Sequence, residues 1–146
     1  MTIDKFRLFA FIAAGFVGGS LITGAFMKVQ EVRAAGNHVY ELRTYHTVPG
    51  RLPALQKRFR DETVRIFDKH GMVSIGYFNP QDAPASENTL IYILQHPSRE
   101  EAKKNWAAFQ ADPEWQKVAK ASEADGKIVD HLESTFMEPT DYSALK

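Results

Sequence analysis

Cysteine is absent from all 146 residues, so neither a disulfide framework nor a thiolate metal site can be built, and redox chemistry leaves the compartment open. There is no Gly-rich phosphate loop, no Gly-x-Ser-x-Gly turn, and no helical His-x-x-x-His or strand His-x-His pair. Those absences remove phosphate-cradling loops, the hydrolase nucleophile elbow and any metal motif made by one continuous segment. Surplus positive charge is lacking too. The first 35 residues hold four of the 18 basic and two of the 18 acidic side chains, leaving 14 basic against 16 acidic, a net −2, for the rest. A nucleic-acid surface needs concentrated positive charge to displace counterions, so no nucleic-acid partner is expected.

What is present begins with an uncharged run. Residues 8–27 carry no charge and are rich in Phe, Ala, Gly and Ile, with Lys5 and Arg7 just before them. About 20 apolar residues suffice to span a bilayer as a helix, and the positive flank belongs on the cytoplasmic side. Residues 1–35 are therefore expected to be a signal peptide or an uncleaved signal-anchor. Val32-Arg33-Ala34 and Thr23-Gly24-Ala25 are the two indifferent cleavage sites, so retention is slightly preferred over release. Either reading places residues 36–146 beyond the membrane, anchored to it, periplasmic or secreted.

In that second segment, residues 39–47 alternate Tyr40, Leu42 and Thr44 against Glu41, Arg43 and Tyr45, the period of a strand with two unlike faces. Val48-Pro49-Gly50 stops it. Leu52, Leu55, Phe59, Ile66 and Phe67 then recur at helical spacing up to Gly71, which suits a left-handed helix end. Residues 72–78 read as a strand, 79–88 as a loop too long for a tight hairpin, and 89–96 as a strand apolar on both faces and hence central. Ser98 and Glu101 form a capping box, with the hydroxyl and the carboxylate both expected to satisfy free amides. Asp112-Pro113 breaks the helix and restarts a shorter one, and residues 128–137 form the last strand. The order β-α-β-β-α-(α)-β predicts an α+β, ferredoxin-like antiparallel sheet with helices on one face. The other face carries Ile, Val, Tyr and Phe with nothing to cover it, which predicts a homodimer.

The strand at 39–47, with the ending Phe136-Met137-Glu138-Pro139-Thr140-Asp141-Tyr142-Ser143, closely resembles the NIPSNAP family over residues 38–146. The resemblance implies a dimeric α/β barrel, two sheets packed face to face. It implies no reaction, because the family has no settled activity. Cofactor-free monooxygenases share the barrel and hold their ligand between sheet and helices. By that analogy Tyr40, His46, Tyr92 and Trp106 are expected around a pocket.

Two further groups follow from strand faces. Arg43 is expected to pair with Glu41, Glu133 or both, either as a polar patch that binds a carboxylate or as a self-satisfied pair fixing register across the dimer. With the first and third strands read as parallel central neighbours, His46 and His96 end at one sheet edge, and His131 and Asp130 approach it. That grouping is read as polar strand ends in solvent rather than a metal site, and no metal or cofactor is expected. Two functions remain: a membrane-tethered or periplasmic module that binds a partner or a small apolar ligand, and a cofactor-independent monooxygenase or isomerase.

A charged residue in mid-span costs ~2.5–3.5 kcal/mol on insertion, and residues 8–27 contain none. Alkaline phosphatase fused after Gly36 should therefore be active, since it folds only outside the cytoplasm. An inactive fusion beside a fluorescent cytoplasmic reporter removes the export reading.

Overall fold

The computed structural model describes residues 38–145; the leader or anchor expected at residues 1–35 lies outside them. Among the described residues no helix is long and apolar enough to cross a membrane. Strand β1 (Val39–Thr47) leads through a turn in which Arg51 N–H donates to the Val48 carbonyl at 3.0 Å. Helix α1 (Leu52–Arg58) follows, its Pro53 in the first turn, where a missing amide costs little. A π-helical turn (Phe59–Thr63), in which the Thr63 hydroxyl donates to the Arg58 carbonyl, joins it to α2 (Val64–Lys69).

Gly71 ends α2 at φ 70°. Its N–H donates to the Asp68 carbonyl and that of Met72 to the Phe67 carbonyl, the paired bonds of a Schellman cap. The cap drops Met72, fully buried, into the core and aims the chain into β2 (Val73–Phe78). A short α3 (Ala85–Asn88) interrupts the long connection to β3 (Thr89–His96). Ser98 caps α4 (Arg99–Ala111) by accepting from the Glu101 N–H at 3.1 Å. The reciprocal half of the expected box is not made, because the Glu101 carboxylate accepts from Lys104 Nζ at 2.6 Å instead. Asp112 closes α4 and caps α5 (Pro113–Ser122) through the Glu114 N–H. Its other oxygen accepts from Lys69 and meets His70 Nε2 at 2.8 Å, which ties α5 to the end of α2. Strand β4 (Val129–Met137) completes the chain order.

The sheet order is β2-β3-β1-β4, antiparallel throughout, with β3 central as its apolar composition implied. The reading of β1 and β3 as parallel is overturned. The helical crossover from β1 to β2 leaves one strand position open, and β3 doubles back into it, so β3 runs against both neighbours. His96 therefore lies opposite Val39 and His46 opposite Thr89, at opposite ends of the sheet. His46 does meet His131, its direct partner on β4.

Odd-numbered residues of β1 and even-numbered residues of β3 face the helices. There Tyr45, Leu90, Tyr92 and Leu94 pack with Leu55, Phe59, Ile66, Phe67, Phe109 and Ile128. Each such side chain contributes ~1.5–3 kcal/mol by burial. Phe59 and Phe67 sit in this core as their spacing implied, joined by Phe109 from α4, while Trp106 and Trp115 pack at its margin. The opposite face carries Leu42, Ile91, Ile93, Val73 and Phe78 with no helix over it, and Phe78 is 52% exposed. Tyr40 is on this face as well. It is buried beside Ile93, Met137, Pro139 and Leu145, where the end of the chain folds back.

Candidate functional site: a cleft floored by a saturated carboxylate

A cleft of about 770 Å³ runs between α4 and the β1–β4 half of the sheet. Its floor is Glu41, in mid-strand and 1% exposed. Oε1 accepts from Arg43 Nη1 at 2.6 Å and from Ser134 Oγ at 2.6 Å. Oε2 accepts from Trp106 Nε1 at 2.7 Å and meets His96 Nε2 at 3.1 Å. A carboxylate offers about four lone-pair sites, and all are taken. Since an ionised carboxylate only accepts, His96 donates from Nε2; its Nδ1 is buried without a partner among the described residues.

Local rules explain how these groups converge. Glu41 and Arg43 are two apart on one strand and share a face. Ser134 lies opposite Arg43 in the β1–β4 register. His96 ends β3 on the same face, and Trp106 is set by the N-cap that starts α4. Burial opposes the Glu41 charge, but hydrogen bonds from His96, Ser134 and Trp106 and the charge of Arg43 outweigh it, so its pKa falls from 4.5 to about 2. Burial likewise opposes the Arg43 charge and is outweighed by Tyr45, Tyr92 and Glu41, which raise its pKa.

Arg43 is the group this floor presents. Its guanidinium lies 4.1 Å from the Trp106 ring centroid, a cation–π contact on an indole already fixed by its N–H. Among the described residues Nη2 reaches only Tyr45 Oη, at 3.4 Å, so donor capacity remains at that nitrogen, while Nε is buried without a partner and out of a ligand's reach. At the rim, Arg99 stacks over Phe136 at 4.5 Å, and Lys103 lines the same wall. Neither makes an ion pair among the described residues.

Tyr40, Arg43, His46, Tyr92, Trp106 and His131, the pocket candidates that the sequence offers, separate into three places. Arg43 and Trp106 line the cleft. Tyr92 lies behind it in the core, where burial pushes its hydroxyl well above its ordinary value. Tyr40, His46 and His131 belong to the other sheet face, so the expected ring of Tyr40, His46, Tyr92 and Trp106 around one space is corrected: strand alternation divides it. Arg43 pairs with Glu41 and not with Glu133, because Glu133 lies opposite Thr44 and shares that residue's open face. Ser134, His96, Arg99 and Lys103 were not singled out as members. In the sequence the site was signalled by the mid-strand Glu41–Arg43 pair and, through the fold analogy, by Trp106. A second pocket, of about 260 Å³, lies by the π turn between Phe59, Val64, Tyr77 and Leu90; no buried ion lines it.

Fold and cleft together define a ferredoxin-like α+β domain of the dimeric α/β barrel class, with a ligand-sized space between helices and sheet. A family model described as NIPSNAP matches residues 40–144, and the chain belongs to the NIPSNAP family. Similar solved structures include a NIPSNAP family protein of unknown function from Agrobacterium tumefaciens, 28% identical with a TM-score of 0.66, over 76% of this chain and 96% of that one. An uncharacterised NIPSNAP-like domain protein from Burkholderia xenovorans is 20% identical with a TM-score of 0.64, over 74% and 90%. A monooxygenase from Streptomyces coelicolor, solved with nanaomycin D, shares the fold at 15% identity and a TM-score of 0.51, over 77% and 96%. No curated protein matches the chain.

The lowered Glu41 pKa has a definite sign. Its stabilisation is complete above about pH 4.5, the unfolded value, and is lost as pH falls toward about 2. A shift of this size corresponds to about 3 kcal/mol. In urea unfolding, the stability gap between wild type and Glu41→Gln should be of that order from pH 7 down to about pH 4.5 and should shrink below that toward about pH 2. A pH-independent gap would show that the buried group is not ionised.

Proposed function

We propose that this domain binds a small organic anion with a flat apolar body in the α4 cleft. The observation that carries the reading is Arg43, held against Trp106 with Nη2 met by Tyr45 Oη only at 3.4 Å, beside Arg99 and Lys103, which make no ion pair among the described residues. A carboxylate or enolate would complete the Arg43 donors, while its ring system would lie along Trp106 and Phe136. This revises the apolar ligand expected from sequence to one with a charged end. Binding is favoured over acid–base catalysis because Glu41, the buried carboxylate at the cleft, has every lone pair engaged and cannot accept a substrate proton without breaking its network. We further propose that residues 8–27 carry the domain across, or hold it at, a membrane, as their uncharged run suggests.

Titration with 1-naphthoate, followed by tryptophan fluorescence, tests the cleft. Saturable quenching is expected, weakened about 10-fold in Arg99→Ala/Lys103→Ala, which corresponds to ~1.4 kcal/mol. 1-Naphthalenemethanol, similar in shape but neutral, should bind more weakly than the acid. Equal affinity for acid and alcohol, or indifference to the double substitution, would refute an anion site.

The open face supports a second part of the proposal, a homodimer formed sheet against sheet. Leu42, Ile91 and Ile93 lie at its centre, and a one-layer sheet with an apolar outer face calls for cover. Because Arg43 faces the helices, it is no probe of this contact; Ile93→Asp is. Sedimentation at micromolar concentration should give a dimer for wild type and a folded monomer for Ile93→Asp. A wild-type monomer would rule the dimer out.

A further inference from the structure

At one end of the open face, away from the cleft, β1 and β4 bring together three side chains that the anion site does not use. His46 and His131 are cross-strand partners, and their rings stack with centroids 4.4 Å apart and planes 16° from parallel. Glu133 is two residues on from His131 along the same face, its Oε1 3.8 Å from His46 Nε2. One ligand-type atom from each of the three lies within 4.8 Å of the other two.

The surrounding hydrogen bonds decide where the ring protons sit. Thr89 donates its hydroxyl hydrogen to Asn88 Oδ1 at 2.9 Å, so toward His46 Nδ1, 3.3 Å away, it offers only lone pairs. The proton of His46 is therefore on Nδ1, and Nε2 carries a bare lone pair. His131 Nδ1 faces the Asp130 carboxylate at 3.0 Å, and an ionised carboxylate only accepts, so this ring also has its proton on Nδ1. Asp130 can reach its neighbour because the β1–β4 register shifts here. His46 pairs with His131 and Thr47 with Val129, leaving Asp130 as the extra residue of a bulge.

Two imidazole lone pairs and a carboxylate are thus gathered with no donor among them. A proton shared between His46 and Glu133 does not resolve this, since 3.8 Å is too long for a hydrogen bond. A divalent cation would engage all three at once, in place of the water that the exposed His131 and Glu133 otherwise meet. Two imidazoles and a carboxylate, with each ring's other nitrogen held by an oxygen acceptor, is the ligand set and outer shell that zinc-type ions use.

We propose that His46, His131 and Glu133 bind one late first-row divalent cation of the zinc type, through the two Nε2 atoms and the Glu133 carboxylate. Three protein ligands leave a position open to water or to an oxygen or nitrogen donor. Bond lengths of about 2.0–2.2 Å need the ligand atoms to draw in by roughly 1 Å and the two stacked rings to tilt until their in-plane lone pairs converge, movements that the exposed side chains of His131 and Glu133 can supply. All three ligands come from one copy of the chain, so the site does not depend on the dimer.

The test uses the full-length chain without a histidine tag, in mild detergent, stripped with EDTA. Titration with Co²⁺ should give one ion per chain with visible d–d absorption, displaced by Zn²⁺, and Zn²⁺ should raise the unfolding midpoint. Asp130→Asn should weaken Zn²⁺ binding about 10-fold, and His131→Ala at least about 100-fold. His131 is more than half exposed, so its substitution should leave the metal-free unfolding midpoint near that of wild type. His46→Ala should likewise abolish the Zn²⁺-induced rise in midpoint. Non-saturating Co²⁺ binding, or a Zn²⁺-induced rise that survives in His131→Ala, overturns the site.

Discussion

A carboxylate with no lone pair left for water organises this domain. Burying an ion is costly, and Glu41 remains charged only because four donors from β1, β3, β4 and α4 reach it at once. The same bonds fix what surrounds it. They set Trp106 in one plane, lay Arg43 across it, and hold the β4 edge at Ser134. Losing any one donor would leave part of a buried charge uncompensated, so the network enforces its own geometry. The α4 cleft is therefore preorganised: its main cation is placed before any ligand arrives.

The second constraint is the alternation of strand residues, which gives one thin sheet two different chemistries. Toward the helices lie the aromatic core and the Glu41 network. Away from them lie Leu42, Ile91 and Ile93, and at one end the stacked His46 and His131. Neighbours in sequence thus serve different sites. Tyr45 packs in the core while His46, one residue on, faces the opposite side beside Glu133.

Much of the element order was legible because local chemistry carries it. Gly71 ends a helix with a Schellman cap, Ser98 starts one, and Asp112-Pro113 ends one helix and begins the next, each through contacts within a few residues. The site was legible only in part. Glu41 and Arg43 drew notice because two opposite charges in mid-strand are unusual, but the Ser134, His96 and Trp106 that satisfy Glu41 come from three other elements. Placing His46 beside His96 failed for one reason: spacing along the chain does not state in which direction an inserted strand runs.

By itself, then, the sequence determined most of the secondary structure, the fold class and the family, but not the short α3 or the π turn, since periodicity, capping residues and turn glycines act over a few residues and survive without long-range knowledge. Tertiary structure alone decided which charges meet. It paired Arg43 with Glu41 instead of Glu133, divided the candidate residues between two faces, and set His46 against His131. Those outcomes depend on strand direction and register, and a register shift of one residue at Asp130 is enough to turn a side chain toward a new partner.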